Sequence, residues 1–132
     1  DVKCVIHAHP IYATAAAVAN LEIPPIVDEM VIAIGGSIQV AHYAFPSTEE
    51  LASNAVDTLS NRNAVLLRNH GIVVTGNNAT QAITNCELSE RIAQVFLLSH
   101  ALGKAISLPQ DIIQAESQIY SMHQQLNIDK KE

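Results

Sequence analysis

The stretch AVLLRNHGIVVT, residues 64–75, consists of two short apolar runs separated by a polar turn. Residues 64–68 predict a strand that is buried on both faces, because apolar side chains occupy successive positions. The segment Asn69-His70-Gly71 predicts a tight turn, and residues 72–75 predict the antiparallel partner strand. Because helical and extended segments surround this hairpin, the chain is expected to form a single α/β domain with a mixed sheet.

A strand and two helices are predicted upstream of the hairpin. Residues 2–6 predict a strand, and Pro10 begins an Ala-rich helix to about Ala19, since proline fits the first helical turn. Residues 37–41 predict a further short strand. The sequence Ser-Thr-Glu-Glu at 47–50 matches a capping box with Ser47 as the N-cap of a helix to about residue 60. One face of that helix is predicted to carry Leu51, Ala55, Val56 and Leu59.

A long helix is predicted downstream of the hairpin. Asn78 is its expected N-cap, residues 79–102 form it, and Gly103 ends it. Its predicted apolar face consists of Ala79, Ala82, Ile83, Cys86, Ala93 and Leu97. A last helix is expected to open at residues 107–110.

The composition excludes several classes of protein. The chain has 132 residues, 48% of them hydrophobic, and a formal net charge of −6, which suits one compact domain with a core. Its few basic residues are scattered, which argues against a nucleic-acid partner. No apolar run has the length of a membrane span and no signal segment opens the sequence, so we expect a cytoplasmic protein without a membrane partner. Cys4 and Cys86 are expected to be buried reduced thiols.

Three histidines are the strongest candidates for a metal site. His7 and His9 project from the same face if the first strand continues through them, although a pair of this spacing also occurs by chance on surfaces. His70 adds a third imidazole at the end of a buried strand, where sheets commonly present functional groups. Three imidazoles without a cysteine cluster fit an open catalytic zinc site, whereas a closed structural site uses four ligands. Imidazoles also suit other first-row metal ions.

Other polar residues have weaker assignments. Asp28 and Glu29 follow a double proline and are candidate acid/base residues, or else belong to an ordinary solvated loop. Arg68 is expected to pair with a carboxylate, and Glu87 and Glu90 share a helix face at i,i+3 spacing. The remaining histidines are expected to be surface residues, namely His42, His100 and His123.

Several motifs occur in an order that resembles the class II aldolase/adducin family, and within it the fuculose-1-phosphate aldolase branch. They are His7-Ala8-His9-Pro10, Ile23-Pro24-Pro25, Gly35-Gly36, Tyr43-Ala44-Phe45-Pro46 and Leu66-Leu67-Arg68-Asn69-His70-Gly71. The resemblance extends from Val2 to about Gly103.

The resemblance implies a fold, a metal and a reaction. The fold is a three-layer α/β/α arrangement with a mixed, largely antiparallel central sheet. The metal is zinc, held by His7, His9 and His70, and the assembly is a homotetramer with sites at subunit interfaces. The reaction is reversible retro-aldol cleavage of a ketose 1-phosphate, such as fuculose 1-phosphate, to dihydroxyacetone phosphate and an aldehyde, with the metal as Lewis acid. No lysine is convincingly placed for Schiff-base chemistry instead.

The chain departs from the family pattern in two places. The phosphate-binding loops and the catalytic glutamate of the family precede its His-x-His motif, whereas here the motif follows Asp1 almost at once. We therefore expect an N-terminally truncated domain that lacks turnover by itself, the alternative being an incomplete, inactive member of the family. Fuculose-type enzymes carry a tyrosine close to where this chain has Asp28 and Glu29, and Tyr120 lies in the region from which a C-terminal tyrosine closes their site.

Two alternatives to an aldolase remain open. One is a dehydratase, decarboxylase or epimerase on the same scaffold. The other is a non-catalytic, adducin-like assembly module, against which the retained histidine trio argues.

Overall fold

The fold is described from a computed structural model, which describes residues 2–129. Within these residues the elements follow the order β1 (Cys4–Ala8), α1 (Ile11–Val18), α2 (Asp28–Ile34), β2 (Val40–Ala41), α3 (Glu49–Leu59), β3 (Ala64–Leu67), β4 (Gly71–Gly76), α4 (Ala79–Ala101) and α5 (Gln110–Asp129).

The strands form one sheet in the order β1-β4-β3-β2. Strand β4 pairs antiparallel with both β1 and β3, and β2 pairs parallel with β3. The predicted hairpin is therefore the centre of the sheet, and the mixed, largely antiparallel arrangement is confirmed. Strand β1 lies two residues later than predicted and includes His7, which pairs with Val73.

Helices cover both faces of the sheet, which confirms the three-layer α/β/α fold. Helices α1 and α4 pack on one face, and the larger apolar cluster on that side includes Ala13, Ala16, Leu66, Ile72, Val74, Ile92 and Phe96. Helix α3 packs on the other face, where Ala55 contacts the smaller cluster with Val65 and Leu67. Because Val65 and Leu66 are both fully buried, β3 is buried on both faces as predicted.

The last helix, α5, packs against α2. Helix α2 ends at Gly35, whose φ of 96° is the left-handed C-cap conformation. A Cβ at Gly35 would lie 2.8 Å from ring atoms of Tyr120, so the tyrosine ring covers the end of α2. The Tyr120 hydroxyl donates a hydrogen bond of 2.6 Å to the carbonyl of Asn61. Tyr120 therefore anchors α5 to the domain.

The structure corrects the start and the apolar face of α3. Thr48, not Ser47, is the N-cap, and its hydroxyl accepts a hydrogen bond of 3.2 Å from the amide of Leu51. Ser47 instead has a positive φ of 64°, outside the extended conformation that an N-cap adopts. The predicted burial of Val56 is wrong, because its side chain is 66% exposed while Ala55 faces the sheet.

The structure also corrects the apolar face of α4. Ile83 is 51% exposed, and Ala79 is exposed as well. Asn85 and Ser89 occupy the buried side, because their polar groups have partners there. The Asn85 side chain donates to the Thr75 carbonyl at 3.0 Å, and the Ser89 hydroxyl donates to the Asn85 carbonyl at 2.7 Å. A hydrophobicity pattern cannot identify buried polar residues whose hydrogen bonds are satisfied.

Three smaller predictions have mixed outcomes. The strand predicted at 37–41 is shorter, since only Val40–Ala41 forms β2 and Ile38 makes an isolated bridge with Ile23. Cys4 and Cys86 are free thiols, and both are half-buried rather than fully buried. None of the helices described between residues 2 and 129 combines the length and apolar character needed to cross a membrane.

Candidate metal centre

His7, His9 and His70 converge at one end of the sheet. The Nε2 atom of His7 lies 2.9 Å from Nε2 of His9 and 3.2 Å from Nε2 of His70. The three possible ligand atoms all lie within 4.8 Å of one another, and His70 is half-buried while the other two are exposed. The structure thus brings together the three histidines that the sequence proposed as a set.

Strand pairing explains this convergence. His7 lies in β1 opposite Val73 of β4, and β4 begins immediately after the turn that carries His70. The turn is closed by a hydrogen bond of 3.0 Å from the His70 amide to the Leu67 carbonyl. Asn69 adopts a left-handed φ of 58° in this turn, a conformation that asparagine tolerates better than most residues.

Gly71 allows the end of β1 to approach the turn. A Cβ at Gly71 would lie 2.4 Å from the backbone oxygen of Ala8 and 2.6 Å from Cδ2 of the His9 ring. No larger residue fits there without moving β1 or the ring. The glycine of the Asn-His-Gly segment is therefore required for packing against a metal-ligand candidate.

The surroundings of His70 and His7 bear on how their rings can bind a metal. Burial, followed by the neighbouring charges of His7 and His9, lowers the pKa of His70 from its ordinary value. Nδ1 of His7 lies 3.0 Å from the carbonyl oxygen of Ile72. Because a carbonyl only accepts, Nδ1 carries the proton in this hydrogen bond, which leaves Nε2 as the ring nitrogen that can bind a metal.

The donor set fits a divalent metal ion. Zinc–nitrogen bonds of 2.0–2.1 Å at tetrahedral angles place neighbouring nitrogens about 3.3 Å apart. The observed separations of 2.9 and 3.2 Å are close to this spacing. The bond between His7 Nδ1 and the Ile72 carbonyl is the kind of outer partner that fixes the orientation of a metal-binding histidine.

Comparison with known proteins identifies the family. Residues 1–97 match the family described as Class II Aldolase and Adducin N-terminal domain. This chain belongs to that family. A structure of an L-fuculose 1-phosphate aldolase superposes with a TM-score of 0.86 at 33% identity, covering 92% of this chain and 57% of that one.

Curated relatives of this class II aldolase/adducin family member include enzymes with different reactions. The 5-deoxy-D-ribulose 1-phosphate aldolase of Bacillus thuringiensis and the L-fuculose phosphate aldolase of Escherichia coli K12 are each 32% identical over 111 residues, covering 84% of this chain and 52% of the relative. The 3-oxo-tetronate 4-phosphate decarboxylase of Haemophilus influenzae is 33% identical over 101 residues, covering 73% of this chain and 48% of the relative. The chain thus spans about half the length of these relatives.

In this chain a cleft of about 400 Å³ lies beside the three histidines. His7 and His70 form one part of its lining. Its apolar wall comes from Leu51 of α3, Leu67 of β3 and Val73 of β4, and Ser47 and Thr48 lie at its edge. A small metabolite in this cleft would contact the candidate ligands directly.

The structure places the candidate acid/base residues Asp28 and Glu29 in the first turn of α2. Glu29 forms an ion pair of 3.2 Å with Arg91, and Asp28 is hydrogen-bonded to Glu116 of α5. Among residues 2–129, neither carboxylate joins the histidine group or lines the cleft beside it. Their catalytic role stays a prediction.

The pair formed by Asp28 and Glu116 gives a testable pH dependence. Desolvation, followed by the hydrogen bond and the charge of Asp28, raises the pKa of Glu116 above its ordinary value of 4.5. The folded state therefore binds the proton of the Glu116 carboxyl more tightly than the unfolded state does. The stability that the protonated carboxyl contributes is present in full below pH 4.5 and is lost as the pH rises through the raised pKa. We expect Glu116→Gln to raise Tm near pH 7 and to leave Tm nearly unchanged near pH 4.

Thermal unfolding followed by circular dichroism at both pH values tests this prediction. Glu87→Gln is the control, because it removes one negative charge from an exposed position on α4. A Tm change for Glu116→Gln that is the same at both pH values, or a lower Tm near pH 7, would contradict the expectation.

The remaining candidates lie outside the histidine group. His42 and Arg68 line a separate cleft of about 550 Å³ beside β2, together with Glu22 and Asp57. Among residues 2–129 the one ion pair joins Arg91 to Glu29. The expected pairing of Arg68 with a carboxylate is therefore wrong for these residues. The ring of His100 packs near Phe96, and His123 is exposed, in line with their expected surface positions.

Tyr120 lies at the far end of β4 from the histidines. It lines a pocket together with Gly76, whereas His70 precedes Gly71 at the other end of the strand. Six residues of strand separate these ends by about 17 Å. In this chain Tyr120 serves α5 packing and does not approach the histidine group.

Proposed function

We propose that the protein is a zinc-dependent sugar-phosphate aldolase of the fuculose-1-phosphate aldolase type. It would cleave a ketose 1-phosphate reversibly to dihydroxyacetone phosphate and an aldehyde, with His7, His9 and His70 as the metal ligands. The convergence of their three ring nitrogens carries the proposal. The relatives include aldolases for fuculose phosphate and 5-deoxyribulose 1-phosphate, which supports a phosphorylated sugar as the substrate.

The reaction requires an electron sink next to the bond that breaks. A divalent ion held by three imidazoles supplies it as a Lewis acid at the substrate's oxygen atoms. The chain's own contribution is to hold the imidazoles in place, as His7 is held by the Ile72 carbonyl. No lysine lines the described cleft beside the histidines, which disfavours a Schiff base as the sink.

The cleft beside the histidines suits the carbon chain of a small metabolite. Apolar side chains from α3, β3 and β4 form its wall and can contact the carbon chain of the substrate. The hydroxyl of Thr48 donates to the Phe45 carbonyl, which fixes the loop that forms one edge of the cleft.

We further propose a homotetramer in the cytoplasm with sites at subunit interfaces. Large apolar side chains remain exposed in this chain, among them Phe45 at 73%, Ile106 at 78% and Leu102 at 91%. Contiguous apolar surface is typical of an interface, and these side chains are the candidates for it in this chain. The expectation that the 132 residues are part of a longer polypeptide stays a prediction.

Product analysis tests the proposed reaction. The full-length protein that contains this domain is purified, loaded with zinc and incubated with fuculose 1-phosphate and with 5-deoxyribulose 1-phosphate, and dihydroxyacetone phosphate is measured by coupled NADH oxidation. We expect its formation from at least one substrate, its loss after chelation and its recovery with added zinc. A zinc-loaded protein that releases no dihydroxyacetone phosphate from either ketose would overturn the aldolase proposal.

A decarboxylase is the second candidate, supported by the relative that acts on 3-oxo-tetronate 4-phosphate. Carbon dioxide release from that substrate, without cleavage of ketose phosphates, would favour it. A dehydratase or epimerase would convert the same substrates without releasing dihydroxyacetone phosphate or carbon dioxide. The adducin-like assembly module is disfavoured because the three histidines are present and converge.

A further inference from the structure

The N-terminus of α1 is capped by a side chain from another helix. Oε1 of Glu90 accepts a hydrogen bond of 2.9 Å from the amide of Tyr12, and Oε2 accepts one of 2.8 Å from the amide of Ala13. These are the amides that an N-cap side chain normally binds. Pro10, the N-cap residue of α1, forms no such bond, and the first turn of α1 contains no acidic residue. Glu90 of α4 therefore replaces a local cap.

This cap lies next to a candidate metal ligand. Strand β1 ends at Ala8 and α1 begins at Ile11, so His9 and Pro10 form the whole connection between them. On one side, β1 is held by pairing with β4. On the other side, the first turn of α1 is held by the carboxylate of Glu90. The conformation of His9 thus depends on both anchors.

We propose that Glu90 is a positioning residue of the metal centre, which holds His9 in place by fixing the first turn of α1. The inference rests on the proposed function to the extent that His9 is a metal ligand. Without Glu90, the amides of the first turn lose their acceptors and the turn frays. His9 then gains backbone freedom that metal binding must remove again. Loss of a group hydrogen-bonded to a metal ligand commonly weakens metal binding by about 10- to 100-fold, and Glu90, which acts on His9 through the backbone, is expected at the lower end of this range.

The chemistry of the contact requires a carboxylate. Glu90 offers two acceptor oxygens to two amide donors, and its negative charge is favourable at a helix N-terminus. Glutamine offers one acceptor oxygen, and its NH₂ group would face an amide that also donates. Glu90→Gln should therefore keep one hydrogen bond, and Glu90→Ala should keep none.

Cobalt titration of the metal-free protein tests the proposal. Co²⁺ bound by nitrogen ligands absorbs visible light, and the spectrum reports the coordination geometry as well as the affinity. We expect Glu90→Gln to weaken Co²⁺ binding about tenfold and to alter the visible spectrum, and Glu90→Ala to weaken binding further. Circular dichroism identifies the fraction of each variant that is folded.

Two control variants separate positioning from charge and from general stability. Glu87→Gln removes the same charge one turn earlier on α4, where the Glu87 side chain is exposed. Tyr120→Phe removes the hydrogen bond to Asn61 at the far end of the domain. Both are expected to bind Co²⁺ as the unmodified protein does.

The outcomes distinguish the two proposals. If the unmodified protein binds Co²⁺ and Glu90→Gln binds it with the same affinity and spectrum, the positioning role is wrong and the proposed metal centre stands. If Tyr120→Phe weakens binding as much as Glu90→Gln, the effect is one of stability and the positioning role is again wrong. If the unmodified protein binds no Co²⁺, both proposals are overturned. Glu90→Gln decides the matter even if Glu90→Ala fails to fold.

Discussion

Replacing His70 with alanine is expected to weaken zinc binding by roughly 100- to 1,000-fold and to remove the proposed aldolase activity of the full-length protein. His70 contributes one of three converging nitrogens, and the two that remain, from His7 and His9, leave the ion largely coordinated by water. Structural zinc sites with four ligands bind with about 10–16 kcal/mol, so one ligand accounts for about 2.5–4 kcal/mol. Zinc affinity is measured by competition with a chromophoric chelator, and metal content after dialysis gives an independent readout.

His123→Ala is the matched control for this prediction. It removes the same type of side chain from an exposed position on α5 and should leave zinc content and activity unchanged. His70 is half-buried and its ring lies at the rim of a cleft, so its loss should leave the fold intact by circular dichroism. Unchanged zinc occupancy in a folded His70→Ala protein would refute the role of His70 as a ligand.

Replacing Gly71 with alanine is expected to reduce both stability and metal affinity. The new Cβ would lie 2.4 Å from the Ala8 oxygen and 2.6 Å from the His9 ring. Because the oxygen belongs to the backbone of a paired strand, relief requires a shift of β1 together with His9. Overpacking of this kind costs typically about 1–3 kcal/mol. Urea unfolding of the metal-free protein measures the free energy of unfolding, and zinc competition measures the affinity of the folded protein.

Gly76→Ala is the control that separates these two effects. A Cβ at Gly76 would lie 2.5 Å from the backbone nitrogen of Ala82, so it should destabilise the domain by a similar mechanism. Gly76 is at the opposite end of β4 from the histidines and should leave zinc affinity unchanged. Equal zinc affinity in the two variants would show that Gly71 serves packing alone, and unchanged stability of Gly71→Ala would contradict the close approach itself.

Local signals predicted some elements better than others. Asn78 was predicted as the N-cap of α4, and its side chain accepts from the amide of Gln81 as expected. The cap of α3 was misplaced by one residue, because Ser47 and Thr48 are both good capping residues and the backbone decides between them. Helix α2 was not predicted, since its seven residues are too short for a periodic signal. Packing of Met30 and Ile34 into the core stabilises it.

The candidate site was predicted in its residues but not in its supporting contacts. His7, His9 and His70 were proposed together, and their convergence follows the predicted hairpin. The role of Glu90 was missed, although one signal existed, namely that proline at the N-cap of α1 leaves the first amides without a local acceptor. Nothing in the sequence indicated that a residue 78 positions away would supply it.

The sequence by itself determined the central hairpin and which histidines are the candidate metal ligands. The hairpin is local, since residues 64–75 contain both strands and the turn that joins them. The tertiary structure alone decided that β1 pairs with the far side of β4, which brings His7 within 3.2 Å of His70 across 63 positions of chain. It also decided that Asp28 meets Glu116 and that Glu90 caps α1. Such contacts depend on which surfaces of distant elements are buried against each other, and that choice is made by the packing of the whole core.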